Sequence, residues 1–157
     1  MPRKSDTDSQ RMKIYLPDVN ALLALLDPMH IHHESAHQWY EKRQKPGLLL
    51  CSHVVNGVIR IASQPKYPNS LGTSERVREL LHRFVESVDA AFCQQDVNLL
   101  DDAILLRPEE LTPSRVSDLY LLALAVANQA TFVSFDNRIP VRAVKGGKDA
   151  MEVIDVV

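Results

Sequence analysis

Three aspartates far apart in the chain, Asp18, Asp118 and Asp136, each fall where a secondary-structure element should start or stop. Asp18 closes the apolar run Ile14-Tyr15-Leu16 and opens a leucine-rich stretch from Asn20 to Leu26. Asp118 stands at the start of an apolar helical stretch, and Asp136 ends a strand-like run. A carboxylate at the carboxyl end of a strand sits where open α/β sheets bind ligands. Three carboxylates gathered together repel one another, and one takes up a proton unless a cation compensates. Oxygen-only ligands suit Mg²⁺ or Mn²⁺ better than zinc. An ion held in this way polarises a phosphoryl oxygen, orients the scissile group and lowers the pKa of a water. That is the chemistry of phosphodiester hydrolysis without a covalent intermediate. Taken singly, each aspartate is explained as well by a local cap; the three positions together point to a site.

For those acids to meet, the chain must fold so that strand ends share an edge. Short β-like runs alternate with helical patterns, the order of an α/β fold with a mostly parallel sheet. The pattern predicts strands over Lys13–Pro17, Leu48–Cys51, Ala90–Cys93, Thr131–Phe135 and Val153–Val156. It predicts helices over Asn20–Leu26, His32–Arg43, Val54–Ala62, Thr73–Val88 and Asn98–Leu106. A last helix carries an apolar stripe of Val116, Leu119, Tyr120, Ala123, Leu124 and Ala127. Thr112-Pro113 offers one start for it, and Ser117 as a cap offers another that brings Asp118 into the first turn. In parallel strands Asp18 and Asp136 share the carboxyl edge, and Asp118 opens the helix that leads into the strand before Asp136.

The 157 residues fit one domain, a first-eleven-residue polar tail apart, and suffice for a real core. The tail is expected to be disordered, with Met12 as an alternative start. Hydrophobic residues at 45% and charged residues at 24% are those of an ordinary globular chain, and the net charge of −2 gives no global basic field for nucleic acid. Any such partner needs a local patch. Cys51 and Cys93, each among apolar neighbours, read as buried reduced thiols of a cytoplasmic protein. No apolar run reaches membrane-spanning length.

The stretches around the acids resemble the PIN-domain family, and within it VapC-type ribonuclease toxins. Tyr15-Leu16-Pro17-Asp18-Val19-Asn20-Ala21-Leu22-Leu23-Ala24-Leu25 is similar to the opening of that family, and Asp27-Pro28-Met29-His30, His33, Ala36 and Trp39 continue it. Val55-Asn56-Gly57-Val58-Ile59-Arg60-Ile61, with Pro65, Tyr67, Pro68 and Asn69 behind it, extends the likeness. Ser117-Asp118-Leu119-Tyr120 resembles the third acidic motif, and Thr131-Phe132-Val133-Ser134-Phe135-Asp136 the last. The resemblance covers the chain from Met12 onward. It implies a three-layer α/β/α fold on a sheet of about five strands, and a Mg²⁺- or Mn²⁺-dependent endoribonuclease with Asp18, Asp118 and Asp136 as metal ligands. It also implies transfer or ribosomal RNA as substrate, a block of translation, a cognate antitoxin that covers the site, and commonly a homodimer. One departure stands out. Where the family usually carries a glutamate after the second strand, this chain has Asn56, whose amide oxygen can ligate or hold a water but carries no charge.

Other residues were candidates for supporting roles. Asn20 is placed either to orient Asp18 or a water, or to bond local backbone; Ser134 either to hold a water or to pack. The histidines His30, His33 and His37 lack the companion ligands of a zinc site and read as a packing or solvated cluster, with an antitoxin contact as the functional option. Arg138, Arg142, Lys145 and Lys148 follow Asp136 closely enough to meet RNA phosphates, and Arg60 is a further candidate. Two rivals to the nuclease fit parts of the pattern. A catalytically weakened domain that only binds RNA or antitoxin would follow from the missing glutamate. A phosphatase of the haloacid dehalogenase type needs an aspartate two residues after the first, where this chain has Asn20.

Overall fold

A computed structural model describes residues 13–44, 46–68 and 70–157. The tail expected over the first eleven residues, and Met12, lie outside this range, as does Asn69. Five strands, β1 (Ile14–Pro17), β2 (Gly47–Leu50), β3 (Ala91–Phe92), β4 (Thr131–Ser134) and β5 (Met151–Val153), form one sheet in the order β3-β2-β1-β4-β5. Every neighbouring pair is parallel. The helices are α1 (Val19–Leu26), α2 (His33–Lys42), α3 (Ser52–Ala62), α4 (Ser74–Val88) and α5 (Val116–Ala127). The order matters for function: β1 is flanked by β2 on one side and β4 on the other, so the chain leaves its carboxyl end in one direction and returns beside it from the other. Such a switch point opens a crevice at the carboxyl edge.

Strand side chains alternate between two apolar clusters, as the two-residue period requires. Leu16 and Phe132, both fully buried, join α5 and the α3–α4 pair. Tyr15, Leu48 and Val133 join Ala21, Ala24 and Leu25 of α1 with Ala36 and Trp39 of α2. Helices therefore cover both faces, which gives the three layers. Trp39 is pinned through its indole N–H to Glu152 of β5, which also pairs with Arg43. Among the described residues no helix is long and apolar enough to cross a membrane.

Several sequence expectations need correction. The helix expected over Asn98–Leu106 is absent: Asn98 accepts from Leu100 N–H at 2.9 Å and Asp101 from Ala103 N–H at 2.9 Å, so side chains take the donors of a would-be helix. The last strand lies earlier than Val153–Val156, because β4 ends at Ser134 opposite Val153 and leaves later residues little ladder to pair with. Instead the chain end turns to α2, where Val157 N–H donates to Ser35. Neither expected cap starts α5. A 3₁₀ turn over Pro113–Arg115 leads into it, and Ser117 bonds His53 at 3.1 Å instead of capping. The single stripe on α5 is also too narrow, since Leu121, Leu122 and Ala125 are buried with Leu119, Ala123 and Leu124. Of the two free cysteines Cys51 is buried and Cys93 only half-buried.

Gly57 lets α3 lie directly on Val19, the residue after Asp18: a Cβ at position 57 would stand 2.6 Å from Val19 Cγ2. Val19 is branched at Cβ and cannot easily turn away. Overpacking costs about 1–3 kcal/mol, against a gain of up to about 1 kcal/mol in helix propensity for alanine over glycine. Gly57→Ala should therefore lower the urea midpoint with an unchanged m value; an equal or higher midpoint would show that the two helices do not touch this closely.

Candidate active site at the carboxyl edge of the sheet

The end of β1 is locked to β4, with Asp18 N–H donating to Val133 O at 2.9 Å. Asp18 then caps α1, its Oδ1 accepting from Ala21 N–H at 2.7 Å. The cap and the site are thus one arrangement: a residue with extended backbone at a strand end points its carboxylate along the crevice while one oxygen satisfies the helix start. Asp136 lies two residues beyond β4, and Asp118 in the first turn of α5. The three carboxylates line one hollow of about 450 Å³ together with Asn20, Ser134 and Arg138. They do not close round a single point, since among the described residues no three acidic, histidine or cysteine side chains stand as a ready ligand set.

A guanidinium bridges two of the three acids. Arg115 Nη1 donates to Asp118 Oδ2 at 3.1 Å and to Asp136 Oδ2 at 2.9 Å. Nothing in the sequence reading singled Arg115 out; its spacing of three residues before Asp118 on a helix start was the available signal. Arg138 takes the other oxygen of Asp136, through its backbone N–H at 2.8 Å and its Nε at 3.3 Å. These donors, with the backbone N–H of Arg138 foremost, hold the Asp136 carboxyl below its ordinary range. Among the described residues no cation pairs with Asp18. Burial above all, with Asp118 and Asp136 adding like charge, pushes its carboxyl up to about 6, against the pull of hydrogen bonds from Ser134 and Ala21. Burial also raises Asp118, in spite of Arg115.

Ser134 is buried, and its hydroxyl accepts Asp136 N–H at 3.1 Å while bonding Asp18. It therefore ties two of the acids together, a role outside both expected alternatives of holding a water or packing. Asn20 bonds neither local backbone nor Asp18: its Oδ1 meets His30 Nε2 at 3.0 Å. His30 Nδ1 accepts from His32 N–H at 3.0 Å, so the proton sits on Nε2, and the Asn20 amide N–H groups are left to face the hollow. The other histidines have structural work. His33 Nδ1 lies 2.7 Å from Ala24 O and His37 Nε2 3.2 Å from Leu25 O, on the last carbonyls of α1.

Asn56 is set apart from Asp136. It lines an adjoining hollow with Arg60, His53 and Ser117, which shares Asp18, Asn20 and Asp118 with the first. Of the basic stretch after Asp136 only Arg138 lines the first hollow; Arg142, Lys145 and Lys148 are exposed. Two further acids, Asp27 and Asp96, have structural roles. Buried Asp27 accepts from Tyr67 O–H and Met29 N–H, each at 2.9 Å, and Asp96 accepts from Tyr120 O–H at 2.7 Å.

The family model described as PIN domain matches residues 15–145, a span that holds all three aspartates. The chain is 40% identical over 131 residues to Ribonuclease VapC44 of Mycobacterium tuberculosis, covering 83% of this chain and 92% of that protein. It is 29% identical over 150 residues to Ribonuclease VapC38 of the same organism, covering 90% and 99%. The fold is similar to a crystal structure of VapBC2 from Rickettsia felis bound to a DNA fragment from their promoter, with a TM-score of 0.52 at 18% identity, over 90% of this chain and 99% of that one. With its parallel sheet, its edge of aspartates and these relatives, the chain belongs to the PIN-domain family, in its VapC branch.

Proposed function

We propose that this protein is a divalent-cation-dependent endoribonuclease toxin. It cuts transfer or ribosomal RNA in the cytoplasm, blocks translation, and is neutralised by a cognate antitoxin; a homodimer belongs to the same reading. The observation that carries it is the gathering of Asp18, Asp118 and Asp136 in one hollow at the sheet's switch point. Relatives named as ribonucleases support the RNA chemistry.

The donor set fits Mg²⁺ or Mn²⁺: it is all oxygen, short of positive charge at Asp18, and already drawn round a cationic group at Asp118 and Asp136. Those three carboxylates would hold the ion, which when bound polarises a phosphoryl oxygen and lowers the pKa of a water. The chain's own residues supply the rest. Ser134 and Ala21 fix Asp18 in direction. Asn20, exposed and lining the hollow, offers amide donors there while His30 holds its Oδ1. Arg138, largely exposed at the rim, attracts the RNA backbone, with Arg142, Lys145 and Lys148 extending the positive edge and Arg60 flanking the adjoining hollow. Asn56, in that hollow, is an outer partner of Asp18 and Asp118.

A second reading follows from Asn56, an uncharged residue where the family usually has an acid: a domain that binds RNA or antitoxin but cleaves poorly. Two sets of variants separate the readings. With antitoxin-free protein, Mn²⁺ and total RNA, Asp18→Asn and Asp136→Asn should each lose about 100-fold or more in cleavage rate, as removal of several kcal/mol of charge stabilisation requires. Identical RNA patterns from wild type and Asp18→Asn would end the nuclease reading. Cleavage that appears only in Asn56→Glu would establish the weakened-domain reading instead.

Protonation of Asp18 gives a pH signature. A carboxyl that keeps its proton up to about 6 gives up ligation below that pH, so Mn²⁺ affinity should climb as pH rises through about 6 and then level. In ion-free protein the linkage has the opposite sense. Between the ordinary 3.8 and about 6 the folded state holds a proton that the unfolded state has released, so stability falls as pH rises across this window. Asp18→Asn should abolish that fall in thermal melts at pH 4 to 7. A fall of equal depth in the variant would place the proton on another group.

A further inference from the structure

Arg115 occupies an unusual place for a surface-type cation. It ends the 3₁₀ turn Pro113–Arg115, so its backbone is set by the turn that starts α5. Its side chain is only 19% exposed, and a single nitrogen reaches two carboxylates from different elements. Arg138, the other arginine on Asp136, is 79% exposed and takes the opposite oxygen, Oδ1. The two oxygens of Asp136 are thereby divided, Oδ1 to Arg138 and Oδ2 to the Arg115 nitrogen that Asp118 Oδ2 also meets. A divalent ion held by both acids would compete for the place that Arg115 Nη1 fills between Asp118 and Asp136. A guanidinium and a doubly charged ion cannot share it: their repulsion at contact distance in a partly buried site far exceeds thermal energy.

Resting on the nuclease reading above, we propose that Arg115 is a resident counter-cation that competes with the divalent ion for Asp118 and Asp136. In ion-free protein it bridges the two acids and neutralises them; the ion enters only as the guanidinium leaves. Arg115 is thus a positioning residue that sets how much free cation the site needs. Among the described residues no three acidic, histidine or cysteine side chains stand as a ready ligand set, and Arg115 already bridges two of the acids that would supply one.

Mn²⁺ titration followed by electron paramagnetic resonance of the free ion tests this without any turnover. Arg115→Gln should bind Mn²⁺ about tenfold or more tightly than wild type, the scale of releasing charge-assisted hydrogen bonds. Arg115→Lys, which keeps the charge as a point charge on a flexible stem and gives up the preset position of the planar guanidinium, should fall between and guards against a Gln variant that fails to fold. The wild type gives an independent readout. The Arg115 Nε–Hε resonance, identified by its loss in Arg115→Lys, should move toward that of a free arginine as Mg²⁺ is added. Equal Mn²⁺ constants in wild type and both variants, or a resonance unmoved while Mg²⁺ saturates the site, would overturn the competition and leave the nuclease reading intact. Absence of Mn²⁺ binding in every form, wild type included, would overturn the nuclease reading itself and this inference with it.

Discussion

Like charge drawn together at the switch point of a parallel sheet is the constraint around which this molecule is arranged. Asp18 is bound there by its place after β1, the strand that neighbours both β2 and β4. Asp136 follows β4, and α5 delivers Asp118 to the same hollow. Isolated, such a group would shed charge by taking up protons. Each acid meets that cost differently: Asp136 through Arg115 and Arg138, Asp118 through Arg115, and Asp18 by holding its proton to a pH well above that of an ordinary aspartate.

The remaining contacts make sense as supports for that arrangement. The Asp18 backbone is fixed to Val133 and its side chain to Ala21, so the first acid cannot drift from the sheet edge. Ser134 couples it to Asp136 through one buried hydroxyl. His30 holds Asn20, while His33 and His37 close the far end of α1. Gly57 permits α3 to press on Val19, which brings Asn56 and Arg60 beside Asp18 in the adjoining hollow. The histidines that invite a zinc argument are thus spent on backbone carbonyls and on one asparagine.

Much of this was legible from residue pattern. Four of the five strands and four of the helices begin and end within two residues of where periodicity, capping residues and prolines place them, because those signals are local. What failed depended on tertiary partners or on competing local bonds. The stretch from Asn98 carries helix-like apolar spacing, but Asn98 and Asp101 take nearby backbone donors into turns. β5 includes a charged Glu152 because Trp39 and Arg43, more than a hundred residues earlier, are there to meet it. The spatial meeting of Asp18, Asp118 and Asp136 followed from parallel strands, whereas Arg115 did not: an arginine three residues before an aspartate is common, and only the fold brings Asp136 into reach of it. Asn56 was read as the nearest substitute for a missing acid, and the structure puts it next to Asp18 and Asp118 but away from Asp136.

Crystals soaked in Mn²⁺ and measured at the manganese absorption edge address the central claim most directly. A single strong anomalous peak within the hollow, in ligating contact with Asp18, Asp118 and Asp136 and with the Arg115 guanidinium moved off both acids, is the predicted result. Saturating Mn²⁺ with no anomalous peak near Asp18, and Arg115 still bridging Asp118 and Asp136, would contradict the account.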